Sequence, residues 1–202
     1  MIKAIIFDLG GVVLDIDISK TNQAFRDLGF DNIDEYFGLG HAGDFFRDYE
    51  DGTIGDEEFV QRIAEMLGGR IGYDKIIDAW NSLLLQFPPK RIKFLEQLKG
   101  HYRLFLFSNT NGIHLNAFHR MFREAFDGRE LDTLFEKVYY SHVAGFRKPD
   151  AKGFQEILKE NALEPGETIF IDDAKVNVEA AERLGIQGIW LEPGKSIEDL
   201  DL

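Results

Sequence analysis

The chain has 202 residues, 44% hydrophobic and 29% charged, with a formal net charge of −13 and no cysteine. That length carries a full hydrophobic core and a modest second lobe, but hardly two large domains. The charge argues against a nucleic-acid backbone or an anionic membrane as partner, and the missing cysteines exclude disulfides and thiolate metal sites.

IKAIIFD (2–8) reads as a first strand. Asp8 interrupts the apolar run and no small-residue cleavage site follows, so a signal peptide is not expected. No run approaches the length of a membrane span, and a cytoplasmic protein is the expectation. From Asp17 to Pro88 the pattern turns helical: SKTNQAFRDLG, DEEFVQRIAEMLGG and DKIIDAWNSLLLQF follow one another with no strand-like run between them. PPK (88–90) marks the exit into another helix. Strands then alternate with helices. YRLFLF (102–107), KVYYS (137–141), the run ending PGETIFIDD (165–173) and IQGIWLEP (186–193) are strands. GIHLNAFHRMFREAF (112–126), AKGFQEILKENAL (151–163) and VNVEAAERLG (176–185) are helices. Crossovers of this length predict right-handed connections and a doubly wound α/β fold with five parallel strands. The expected organisation is a core of residues 1–16 and 89–202, with a small all-helical cap at 17–88.

In open α/β sheets ligands bind beyond the carboxyl ends of the strands. Here those ends carry Asp8, then Ser108 and Asn109, then Lys148 after the turn GFRKP, then Asp172 and Asp173. Each alone reads as a turn or capping residue; four successive polar strand ends are a far more specific signal. The residue types suit phosphoryl transfer through the protein. A carboxylate attacks phosphorus and water hydrolyses the aspartyl phosphate. Asp8 with Asp172 or Asp173 offers the oxygen ligands that Mg2+ favours. Lys148 would neutralise charge on Asp8 and the transferring group, while Ser108 and the Asn109 backbone amide bind phosphate oxygens. Gly10 and Gly11 let the backbone turn sharply beside the phosphate.

With FDLGGVV, FSNTN, RKPD and IDDAKVN in this order, the sequence resembles the haloacid dehalogenase superfamily over nearly its whole length. The resemblance implies Asp8 as nucleophile and Mg2+ ligand, with a further metal bond from the Gly10 carbonyl. It implies Ser108 and Lys148 as phosphate binders, Asp173 as a direct metal ligand and Asp172 as one acting through water. Asn177 would hold the loop of the fourth motif, and residues 17–88 match the family's helical cap. The opening FDLGG followed by DID, with YEDGTIGDEEF (49–59), resembles phosphatases acting on α-D-glucose 1-phosphate and related sugar phosphates.

One departure stands out. The common phosphatase pattern places a second aspartate two residues after the first, an acid–base group contributing about 10²–10⁴-fold; here that residue is Gly10. Three readings stay open. The first is hydrolysis of an ester with a good leaving group, or with Asp15, Asp17, His41 or a water standing in. The second is carbon–halogen cleavage, which would leave Asp172 and Asp173 unexplained. The third is a phosphate-ligand binding or regulatory protein without turnover. For Asp15 and Asp17 a solvated or capping role is the better reading. Asp44, Arg47 and Tyr49 are candidate sugar contacts in the cap. His114 and His119, five apart, do not share a helix face and read as surface or packing residues. The expected partners are Mg2+ and a small phosphorylated metabolite, with no nucleic acid or membrane, in a monomer or weak dimer.

Overall fold

The computed structural model describes residues 1–35, 37–38, 41–42 and 44–202, excepting the side chains of 37, 38, 41 and 42. In chain order the first elements are β1 (Ala4–Phe7), β2 (Asp15–Ile16), α1 (Ile18–Asp27), β3 (Phe37–Gly38), β4 (His41–Ala42), α2 (Asp44–Glu50), α3 (Asp56–Met66), α4 (Tyr73–Asn81) and β5 (Leu84–Gln86). Then come α5 (Pro89–Leu98), β6 (Arg103–Ser108), α6 (Gly112–Ala125), β7 (Lys137–Tyr140), α7 (Ser141–Ala144), α8 (Ala151–Glu160), β8 (Thr168–Asp172), α9 (Lys175–Glu182) and β9 (Gln187–Trp190). Five strands form one parallel sheet in the order β7-β6-β1-β8-β9, as the alternation of strands and helices predicts.

Side chains alternate across a strand, so a sheet covered on both faces needs apolar residues at every position. β1 shows the division. Ile5 and Phe7 join Leu104, Leu106, Ile169 and Ile171 on the face covered by α5 and α6. Ala4 and Ile6 join Phe105, Phe107 and Phe170 on the face covered by α8 and α9. All four β1 residues are at most 1% exposed. Each fully buried side chain of this size contributes about 1.5–3 kcal/mol, so an acid directly after such a strand sits at the edge of the driest part of the molecule.

The segment between β2 and β5 has its own apolar cluster, built on Phe25, Phe46, Tyr49, Phe59, Ile63, Ile76 and Trp80. Tyr49 and Phe59 stack with centroids 4.0 Å apart, and Trp80 lies 4.9 Å from Phe59. Ile113 of α6 enters the same cluster, tying it to the sheet's helical cover. Residues 17–88 are not wholly helical, contrary to the sequence expectation. Leu84–Gln86 pairs antiparallel with Asp15–Ile16, and Phe37–Gly38 pairs with His41–Ala42. A run such as LLLQF, directly after a helix, has too few residues for its period to separate strand from helix. Among the described residues no helix is long and apolar enough to cross a membrane.

Candidate active site

β1 lies between β6 and β8, so Asp8, Ser108 and Asp172 emerge on one rim. The Asp8 N–H donates to the Ile171 carbonyl at 2.9 Å, carrying the ladder one residue past the strand. Lys148 reaches the rim from beyond β7. The short helix α7 closes at Gly145, whose φ of +70° lies in the left-handed region that glycine accepts without strain. The Asn109 side chain then grips the Lys148 peptide from both sides: Nδ2 donates to the Lys148 carbonyl and Oδ1 accepts its N–H, each at 2.8 Å.

Lys148 is 1% exposed. Its Nζ lies 2.7 Å from Asp8 Oδ1 and 2.6 Å from Asp172 Oδ2, and 5.5 Å from the ring centroids of both Phe107 and Phe170. Burial alone would lower its pKa, but the charges of Asp172 and Asp8 outweigh burial and hold the ammonium above its ordinary range. Asp172 is wholly buried and heavily engaged. Its Oδ1 accepts from the Ala174 N–H at 2.7 Å, and Asn177 Nδ2 donates to both oxygens at 3.1 and 3.0 Å. Asp8 Oδ1 also accepts from the Leu9 N–H at 2.7 Å. Among the described residues Asp8 Oδ2 receives no hydrogen bond.

Asp173 completes the group: one oxygen from each of Asp8, Asp172 and Asp173 lies within 4.8 Å of the others. Burial pushes the Asp8 carboxyl up to about 8, with Lys148 opposing and Asp172 and Asp173 reinforcing the rise. Burial and Asp172 likewise push Asp173 up to about 6. Three carboxylates against one ammonium leave a formal charge of −2, the deficit a divalent cation makes good. The donors are all hard oxygens of the kind Mg2+ prefers. Gly11, at φ +74°, lies so close that an ideal Cβ there would overlap Asp173 Oδ2. The loop of the first motif thus cradles the acid of the fourth. Trp190 steadies the same loop, its Nε1 donating to the Asp173 carbonyl at 2.9 Å while Lys175 Nζ sits 5.6 Å from its ring.

A cavity of about 140 Å³ opens over this cluster, and Gly10, Ser108, Asn109 and Asn177 also line it. An ideal Cβ on Gly10 would lie 3.1 Å from Ile16 Cδ1, so an apolar side chain borders the space an acid at this position would enter. The substitute acids proposed from sequence lie elsewhere. Asp15 pairs with Arg91 at 2.8 Å, and Asp17 caps α1 by accepting the Ser19 N–H at 3.0 Å. The His41 side chain lies outside the described residues. Of the candidate sugar contacts, Asp44 and Arg47 are exposed, and Tyr49 is packed in the cap, its hydroxyl donating to Asp56 at 2.7 Å and accepting from the Ile113 N–H at 3.2 Å. None of the three lines the cavity.

Two charged residues that do line it were passed over in the sequence: Glu50, at the end of α2, and Arg147, beside Lys148. Arg147 Nη2 lies 2.6 Å from Glu50 Oε2, with side chains 12% and 13% exposed. The available signal was adjacency, since Glu50 follows Tyr49 and Arg147 opens RKPD, but nothing in the spacing joins positions 97 apart in the chain.

His114, a packing residue as expected, is buried on the cavity wall. It stacks on Trp80 with centroids 4.8 Å apart, and its Nε2 lies 3.0 Å from the Trp80 carbonyl and its Nδ1 3.1 Å from Asn111 Nδ2. Both contacts suit a neutral ring that donates from Nε2 and accepts at Nδ1. Burial pushes its pKa down to about 4 from 6.5. Below pH 6.5 the unfolded chain binds a proton here that the folded chain refuses, so His114 favours folding fully above that pH and loses this contribution as pH falls toward 4. The difference is about 3 kcal/mol. Urea midpoints measured between pH 7.5 and 4.5 should fall less steeply in His114→Gln than in the parent protein.

Residues 2–185 match the family described as haloacid dehalogenase-like hydrolase, and the chain belongs to that family of enzymes. Among curated relatives, D-ribitol-5-phosphate phosphatase of Bacteroides thetaiotaomicron is 30% identical over 195 residues, 96% of this chain and 94% of the relative. A solved wild-type HAD-family enzyme from Bacteroides thetaiotaomicron, in complex with magnesium and inorganic phosphate, superposes with a TM-score of 0.88 at 33% identity, covering 100% of both chains. A predicted HAD-like hydrolase of Porphyromonas gingivalis gives 0.86 at 33% identity, covering 96% of this chain and 93% of that one.

Proposed function

We propose that the protein is a Mg2+-dependent phosphatase of a small phosphorylated metabolite, a sugar or sugar-alcohol phosphate, working through an aspartyl phosphate on Asp8. The observation that carries this reading is Lys148 bridging Asp8 and Asp172 within one oxygen cluster that includes Asp173. The likeness to a D-ribitol-5-phosphate phosphatase supports the substrate class. Residues 17–88 serve as the cap over a core of 1–16 and 89–202.

Asp8 Oδ2, the oxygen left without a hydrogen bond among the described residues, attacks phosphorus as the ester P–O bond breaks. The leaving oxygen takes its proton from water, since Gly10 offers none. A second water, giving its proton to the hydroxide left by the first, adds to phosphorus; the acyl-phosphate P–O bond breaks and Asp8 returns to its carboxylate with inorganic phosphate released. Lys148 holds Asp8 Oδ1 in place and offsets charge on the transferring group. Ser108 and the Asn109 amide bind phosphate oxygens. Asp8, Asp173 and the Gly10 carbonyl would hold the cation directly and Asp172 through water, consistent with Asp172 being committed to Lys148, Asn177 and Ala174. When bound, Mg2+ supplies positive charge beside the phosphate and relieves the crowding of the three acids.

The test is phosphate release from D-ribitol 5-phosphate and α-D-glucose 1-phosphate with Mg2+, then with EDTA. Release should stop with EDTA and return with excess Mg2+. Turnover indifferent to EDTA, together with halide release from a 2-haloacid, would establish the dehalogenase reading. Phosphate binding without turnover on any ester would establish a binding protein, the reading that Gly10 favours.

A further inference from the structure

We propose that Glu50 and Arg147 form a hydroxyl-recognition subsite, taking the uncharged, polyhydroxylated tail of the phosphorylated substrate. This rests on the phosphatase reading and deepens it. Both side chains line the cavity that holds Asp8, one supplied by the cap and the other by the residue before Lys148. An ion pair taken largely out of water is favourable only if its remaining donors and acceptors are met. Here they are not. Arg147 Nε is buried without a hydrogen-bond partner, and among the described residues no donor but Arg147 reaches the Glu50 carboxylate.

A hydroxyl both donates and accepts, so a vicinal diol serves a guanidinium N–H and a carboxylate oxygen together. An alkyl or prenyl tail would leave both unmet. A second anionic group would gain from Arg147 but meet Glu50, so the neutral pair favours an uncharged tail. Leu14, Ile16, Leu83 and Leu84, which line the same cavity, suit the C–H face of such a chain. Anchoring the cap does not require the pair. Ser141 Oγ already donates to the Glu50 carbonyl, and Gly52 packs so closely that an ideal Cβ would overlap the His142 carbonyl.

The experiment compares kcat/KM for D-ribitol 5-phosphate with that for n-pentyl phosphate, which has the same carbon number and no tail hydroxyls. The parent, Glu50→Gln and Arg147→Lys are assayed with Mg2+, and thermal unfolding verifies that each variant is folded. Arg147→Lys keeps the charge and loses the fork geometry, so it carries the test if Glu50→Gln does not fold. The parent should prefer the pentitol phosphate, and each variant should reduce that preference about 10–100-fold, the size of one hydrogen bond to a charged group. A parent that prefers n-pentyl phosphate, or variants that slow both esters equally, would overturn this proposal while leaving the phosphatase reading intact. A parent that hydrolyses neither ester, nor any other, would remove the phosphatase reading and this proposal with it.

Discussion

Asp8→Asn is expected to cut phosphate release by at least about 10³-fold while the protein stays folded, because a neutral amide accepts hydrogen bonds and does not attack phosphorus. The amide oxygen can still take the Leu9 N–H and the Lys148 ammonium at the positions Oδ1 occupies now. The substitution also removes one of three crowded acids, so the thermal midpoint should hold or rise without Mg2+. Phosphate release at a near-parental rate would exclude covalent catalysis at this residue. A variant that lost both turnover and its folding transition would show that Asp8 has a structural duty the geometry does not suggest.

Lys148→Met is expected to act on both activity and stability. The side chain keeps its length and apolar stem between Phe107 and Phe170, and only the ammonium is lost. Asp8 and the wholly buried Asp172 would then face each other with no cation between them. Removing one partner of a buried ion pair costs about 3–5 kcal/mol, since the other charge stays desolvated. Urea denaturation at pH 7.5 should show a loss of that order. Phosphate release should fall well below the parental level at every Mg2+ concentration. A variant as stable as the parent at pH 7.5 would mean that Lys148 is not what holds the two carboxyls together.

The central sheet could be read in the sequence because each of its strands is a short apolar run flanked by turn residues and separated from the next by a helical stretch. Its rim could be read for the same reason: Asp8, Ser108 and Asp172 stop those runs abruptly. The places that resisted reading have a common cause. Leu84–Gln86 is a three-residue strand whose identity depends on Asp15 and Ile16, about seventy positions earlier. Glu50 and Arg147 are unremarkable charges until folding sets them 2.6 Å apart. Tyr49, Asp44 and Arg47 looked suitable for a sugar, but on α2 only the last residue, Glu50, reaches the cavity. The gap at Gly10 was visible at once. That Ile16 borders the space beside it depends on the path the chain takes on leaving the loop.

Trp190 gives this molecule an intrinsic optical reporter. The chain has two tryptophans; Trp80 is 1% exposed within the cap, whereas Trp190 is 38% exposed and bonded through its indole N–H to the backbone of Asp173. On the proposed reading, a cation held by Asp173 would change the field and the hydrogen bond felt by an indole already carrying Lys175 against its ring. Emission from Trp190, with Trp80 replaced by Phe, is therefore expected to follow occupancy of the acidic loop without any added dye.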